Sequence, residues 1–189
     1  MPWNLPNTLT WTRIAAIPLI ILLFYMPYPW ADPAAGLLFA AAGVTDSLDG
    51  YFARRLGQIS RLGAFLDPVA DKLIVAVALV LLVSKDPRAL IVLTAIIIIG
   101  REITISALRE WMAKIGAAKS VAVSMLGKIK TAAQMTAIPL LLYHVPLLGY
   151  DVRVIGNWLI WIAALLTLWS MGYYLRMAWP EIAKRSGEK

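Results

Sequence analysis

The stretch from Asp46 to Asp71, DSLDGYFARRLGQISRLGAFLDPVAD, decides the fold, with fixed positions D-x2-D-G-x2-A-R-x8-G-x3-D-x3-D. Four of the seven aspartates in the chain fall inside it, although its flanks, AGLLFAAAGVT and KLIVAVALVLLV, are almost wholly apolar. Ionisable groups at membrane depth are costly to hold, so carboxylates clustered there mark a functional site. Asp46, Asp49, Gly50 and Ala53 follow i, i+3, i+4, i+7, one face of a helix. Asp67 and Asp71 are i, i+4 and share a face of the next helix, while Arg54, Arg55, Gln58, Ser60 and Arg61 form the polar turn between. Two antiparallel helices joined in this way can aim four carboxylates into one space. Their repulsion must then be relieved by protonation or by a cation. Carboxylate oxygens suit hard divalent ions such as Mg²⁺ or Mn²⁺, and shared aspartates can bridge two of them. Gly50 leaves bare backbone where a flat ring or a phosphate can approach, and Arg54 is a fixed cation suited to phosphate oxygens. Helix capping would explain Asp67 before Pro68. It does not explain Asp46 and Asp49 within an apolar helix.

Composition sets the surroundings of this motif. Of 189 residues 60% are hydrophobic, against about 45–50% in soluble domains, and the mean hydropathy is +0.72. A spanning helix needs about 20 mainly apolar residues. Six segments qualify, at roughly 8–27, 34–54, 64–84, 89–109, 121–143 and 155–176. The expectation is an all-α integral membrane protein with six transmembrane helices, a single domain over 1–189. A short interfacial segment at 1–7 should precede it, and a polar, frayed tail at 177–189 should follow. Arg13 interrupts the first apolar run and no small-residue cleavage site follows it, so that run is not read as a removable signal. Cysteine is absent, which excludes disulfides and thiolate metal sites.

Charge gives the orientation. With six spans both termini lie on one side, together with the loops at 55–63 and 110–120. The loops near 28–33, 85–88 and 144–153 face the other way and hold only Lys85, Arg88 and Arg153 of the 18 basic residues. The positive-inside rule makes the other side cytoplasmic. The net charge of +7 therefore reads as topology and anionic-lipid contact, and not as nucleic-acid binding, for which no soluble basic domain exists.

Outside the motif the signals are weaker. Asn7 and Thr8 can cap the first helix, Pro18 can bend it, and the small residues of AAGLLFAAAGV allow close helix contact. Thr45 stands beside the acidic face and can donate to it, and Lys72 is read as snorkelling. Arg101 and Arg109, eight residues apart, share a face. Lys114, Lys119, Lys128 and Lys130 fall near the same membrane edge. His144, the only histidine, lies at the outer boundary and is read as an interface residue. Trp158, Trp161, Trp169, Tyr173 and Tyr174 read as an aromatic belt.

The aspartate motif resembles the signature of the CDP-alcohol phosphotransferase family and matches it at every fixed position. The block GREITISALREW…VAVSMLGKIKTAAQM resembles the branch of that family that forms phosphatidylglycerophosphate, and the likeness covers essentially the whole chain. It implies transfer of the phosphatidyl group of CDP-diacylglycerol to sn-glycerol 3-phosphate, giving phosphatidylglycerophosphate and CMP. It also implies two divalent ions on Asp46, Asp49, Asp67 and Asp71, with Asp71 as the base for the acceptor hydroxyl. Gly50, Ala53, Arg54 and Ser60, with Asn7 and Thr10 as a second tier, would contact CDP-diacylglycerol. Arg101, Arg109, Lys128 and Lys130 would bind the phosphate of glycerol 3-phosphate. A homodimer in a bacterial inner membrane, with the site facing the cytoplasm, is implied as well. Rival readings are another acceptor such as inositol phosphate or serine, a membrane prenyltransferase, and an ion-coupled transporter with intramembrane carboxylates.

Overall fold

A computed structural model describes the backbone of residues 5–56, 61–116, 125–147 and 149–186. It describes the side chains of 8–46, 63, 65–116, 127, 129–147 and 149–183. Among these residues the chain forms six α-helices: α1 (Leu5–Tyr25), α2 (Ala31–Leu56), α3 (Arg61–Lys85), α4 (Ala89–Lys114), α5 (Met125–Tyr143) and α6 (Val152–Ser186). An isolated bridge pairs Leu147 with Tyr150, and the described residues contain no strand.

The helices close into a ring. α1 packs on α2, α2 on α5, α5 on α6, α6 on α4, α4 on α3, and α3 returns to α1, with α3 also touching α5 across the middle. The core between them is aliphatic, with Ile20, Phe39, Ala78, Ile98, Ile138 and Ile160 each nearly inaccessible. Leu22, Leu37, Val80, Ile96, Leu165 and Trp169, from five of the helices, point outward and are exposed. Large apolar side chains on both the inner and outer faces mark a bundle solvated by lipid.

Three segments are long and apolar enough to cross a membrane: Thr8–Tyr25, Ala89–Lys114 and Val152–Ala183. α2, α3 and α5 fall short of that standard among the described residues. These are the helices that carry the aspartates, Lys72, Lys128 and Lys130, and such residues lower the hydropathy of a helix whatever its depth.

Several local expectations change. α1 starts at Leu5 with Pro6 in its first turn, where the missing N–H costs nothing. Asn7 and Thr8 are therefore inside the helix rather than capping it. α6 runs on to Ser186, so the expected frayed tail is helical from 177 to 186. The reason is its register: Ala178 and Ile182 continue the face of Tyr174 and join Ile105 and Met112 of α4 and Ile115 just beyond it in a second apolar cluster. Thr45 donates to the carbonyl of Ala41 in its own helix, 2.7 Å away, the usual recourse of a mid-helix threonine. The chain leaves α4 through Ile115 and Gly116, whose φ of 77° suits glycine.

The small-residue stretch does bring two backbones together. A Cβ on Gly36 of α2 would lie 2.7 Å from the Pro139 carbonyl oxygen and 2.8 Å from the Tyr143 nitrogen of α5. Gly36→Ala should therefore force α2 and α5 apart at a cost of about 1–3 kcal/mol, read as a lower melting temperature in detergent. Gly100→Ala, where nothing lies within 4 Å of the added carbon, should be neutral or stabilise by up to about 1 kcal/mol.

Candidate active site

A cavity of about 670 Å³ opens among α2, α3, α4 and α5. Asp46 of α2 and Asp67 and Asp71 of α3 line one side of it, and Glu102 of α4 with Lys130 and Gln134 of α5 also line it. Three of the four aspartates read from the sequence thus share one space. The side chains of Asp49, Gly50, Ala53, Arg54, Asn7 and Lys128, and the whole of Ser60, lie outside the described residues.

The aspartates are held from α1. Thr10 and Arg13, one turn apart and only 1% and 2% exposed, present their polar groups to the cavity's acidic side. Thr10 donates its hydroxyl to Asp67 Oδ1. The Arg13 guanidinium lies 2.9 Å from Asp46 Oδ1 and also donates to Asp71 Oδ1. One cation therefore joins a carboxylate of α2 to a carboxylate of α3. The sequence reading used Arg13 only as a break in an apolar run, and missed this role. The available signal was its spacing from Thr10, which puts both on one face. With these partners in place, the described residues contain no group of three acidic or imidazole side chains close enough to share one ion. The donor set itself, carboxylates converging on one cavity, fits divalent cations, which favour oxygen ligands.

The basic side is also internally paired. Lys130, 2% exposed, places its ammonium 2.5 Å from Glu102 Oε1. Arg101 reaches the same oxygen at 3.0 Å and Ser170 of α6 at 3.3 Å. Tyr174 of α6, 1% exposed, lies beneath both arginines, its ring centre 5.7 Å from the Arg101 guanidinium carbon and 5.2 Å from that of Arg109. Cation–π contacts of this kind hold a guanidinium plane in place. The Nε atoms of both arginines are buried without a hydrogen-bond partner. Three cations against one carboxylate leave the cluster suited to a further anion. Arg101 and Arg109 are not lining residues of the cavity; Glu102 connects Arg101 to Lys130 at its wall. Tyr174, assigned from the sequence to an aromatic belt, is instead buried against the expected acceptor residues. Lys72 lines the cavity and is exposed.

At the other end of the bundle, the segments that carry Asp32, Asp86 and Asp151 meet. Lys85 pairs with Asp32 at 2.5 Å, Arg88 with Asp86 at 2.5 Å, and Arg153 with Asp151 at 3.0 Å. Their guanidinium partners hold the carboxyls of Asp86 and Asp151 below the usual range. His144 lies here, 3.4 Å from Arg153. Burial, reinforced by Lys85 and Arg153, keeps its imidazole below its ordinary value. Every cation of this end has an acidic neighbour, so the unbalanced positive charge of the chain belongs elsewhere.

Removing Arg13 should leave Asp46 and Asp71 without their shared counterion, and a divalent ion should then take over more of the neutralisation. Arg13→Gln is expected to melt below the wild type in EDTA. Added Mg²⁺ should raise its melting temperature more than it raises that of the wild type, with Arg13→Lys between them. Thermal unfolding in detergent, with and without Mg²⁺, checks the order.

Comparison with known proteins agrees with this geometry. Residues 3–169 match the model of the family described as CDP-alcohol phosphatidyltransferase. A Pseudomonas fluorescens protein named CDP-diacylglycerol–glycerol-3-phosphate 3-phosphatidyltransferase is 52% identical over 187 residues, covering 98% of this chain and 95% of its own. Proteins of the same name from Shigella flexneri and Escherichia coli K12 are each 49% identical over 182 residues, covering 96% of this chain and 98% of their own. The chain belongs to the CDP-alcohol phosphatidyltransferase family.

Proposed function

We propose that the protein transfers the phosphatidyl group of CDP-diacylglycerol to sn-glycerol 3-phosphate, releasing CMP and forming phosphatidylglycerophosphate. One observation carries the reading: a single cavity is lined by aspartates of α2 and α3 and by Glu102 and Lys130 of α4 and α5. The names of relatives about half identical over nearly the whole chain supply the donor and the acceptor.

Displacement at phosphorus depends on positioning and charge neutralisation more than on covalent help from the protein. The acceptor's primary hydroxyl oxygen attacks the phosphorus that carries diacylglycerol. The bond from that phosphorus to the oxygen shared with CMP breaks, and the hydroxyl proton passes to Asp71. Asp71 is suited to this because its side chain is 45% exposed and the Arg13 contact occupies only Oδ1. Arg13 and Thr10 fix the orientation of the three described aspartates, leaving little reorganisation for the reaction itself. Divalent ions held by Asp46, Asp49, Asp67 and Asp71 would neutralise the pyrophosphate and stabilise the departing CMP. Gly50, Ala53, Arg54 and Ser60, with Asn7 as a further contact, complete the donor site in this reading. Arg101, Arg109, Lys128 and Lys130 bind the acceptor phosphate, with Tyr174 and Ser170 as supports.

The same reading has all six helices crossing a bacterial inner membrane. α2, α3 and α5 each pack against at least one of the three strongly apolar helices in the ring. Their 26, 25 and 19 residues, at about 1.5 Å each, are long enough or nearly so for a hydrocarbon core of about 30 Å. The balanced ion pairs of the outer loops favour a cytoplasmic location for the opposite end, where a lipid donor and a soluble acceptor can meet. Assembly as a homodimer follows from the family likeness alone.

Purified protein with Mg²⁺ should release CMP from CDP-diacylglycerol when given sn-glycerol 3-phosphate, and much less when given inositol phosphate or serine. Asp71→Asn should lower the rate by about 10²–10⁴-fold, and EDTA should abolish it. CMP release that requires inositol phosphate or serine instead would overturn the assignment.

A further inference from the structure

Gln134 has no part in either ion-pair cluster. It lies on α5 one turn after Lys130, is 4% exposed, and lines the same cavity as Asp71 and Lys130. Its Oε1 is buried and finds no hydrogen-bond partner among the described residues. A buried polar atom with no partner is destabilising, and a native structure that keeps one calls for an explanation. The neighbours make the point sharper. Met135 and Ile138 beside it on α5 are apolar, and an apolar residue at 134 would disturb no pairing, yet the position holds an amide. An amide offers one acceptor and two donors, which suits a neutral hydroxyl and gives no particular advantage toward a phosphate or a metal ion.

We infer that Gln134 recognises the secondary hydroxyl of the acceptor and thereby sets specificity for a glycerol phosphate. The inference rests on the proposed function, because it takes Lys130 as a contact of the acceptor phosphate. Residues i and i+4 of a helix are about 6 Å apart along its axis, and they face the same way. A three-carbon phosphate monoester laid along α5, with its phosphate at Lys130, brings its middle hydroxyl toward Gln134. Its terminal hydroxyl is then free to face the aspartates. The amide holds the middle carbon and so aligns the reacting hydroxyl, without touching the proton that moves. Its role is positioning and discrimination.

The test compares two acceptors in wild-type protein and in Gln134→Met, which keeps the length and removes the polar atoms. One acceptor is sn-glycerol 3-phosphate and the other is 3-hydroxypropyl phosphate, which lacks the secondary hydroxyl. The wild type should prefer glycerol 3-phosphate in kcat/KM by about 10- to 100-fold, the effect of one buried hydrogen bond left unmade. Gln134→Met should lose most of that preference, through a higher KM for glycerol 3-phosphate, with the KM for CDP-diacylglycerol unchanged. Its melting temperature without ligands should equal or exceed that of the wild type, because an unpaired buried amide has been removed. An undiminished preference in the variant would overturn the inference, as would an effect confined to the KM for CDP-diacylglycerol. Wild-type protein inactive with glycerol 3-phosphate would instead defeat the proposed function itself.

Discussion

Arg13 joins Asp46 to Asp71, and the arrangement of the site depends on that junction. Carboxylates at membrane depth cannot remain close together without a counterion. The chain supplies one from its first helix, at the place where α1 contacts both α2 and α3. Thr10, one turn earlier, satisfies Asp67 from the same face. The acidic half of the site is therefore held by three helices, although its motif occupies only two. A buried guanidinium that lost both carboxylates would be left with an uncompensated charge, a strongly destabilising state.

The basic half follows the same logic with the signs reversed. Lys130 and Arg101 are buried against one oxygen of Glu102, and the aromatic face of Tyr174 supports the two arginines. Each half is thus stable without ligands and each carries charge of the sign opposite to its expected ligand. The opposite end of the bundle differs, since Lys85, Arg88 and Arg153 there are matched by Asp32, Asp86 and Asp151. With one end of the bundle neutralised in this way, the proposed chemistry falls to the other. A membrane boundary there would be within reach of both a lipid-linked nucleotide and a soluble phosphate.

Much of this was legible in the sequence. The helical spacing of Asp46, Asp67 and Asp71 within apolar surroundings disclosed a shared cavity, because carboxylates in such places have few structural excuses. The helices themselves followed from apolar runs, and their bounds needed adjusting chiefly where polar residues continue a buried face, as in the last turns of α6. The ring order was not legible. It depends on which apolar faces fit together, and every helix here is apolar on most sides. The role of Arg13 stayed hidden for that reason: a lone arginine in an apolar run shows a cost, and only the neighbouring helices show what offsets it. Tyr174 was misread on similar grounds, since belt tyrosines and buried tyrosines look alike until the packing partner is known. Gln134, an ordinary amide in sequence, acquires meaning from being buried without a partner.

In the proposed reaction metal and nucleotide belong to the aspartate side of the cavity, while arginine and lysine hold the acceptor phosphate apart from them. Electron–nuclear double resonance of Mn²⁺ bound to the purified protein tests this directly through its ³¹P couplings. With CDP-diacylglycerol alone, strong phosphorus couplings are expected from the pyrophosphate. With sn-glycerol 3-phosphate alone, only weak couplings of a distant phosphate are expected. A strong coupling to glycerol 3-phosphate, or none to CDP-diacylglycerol, would contradict the account.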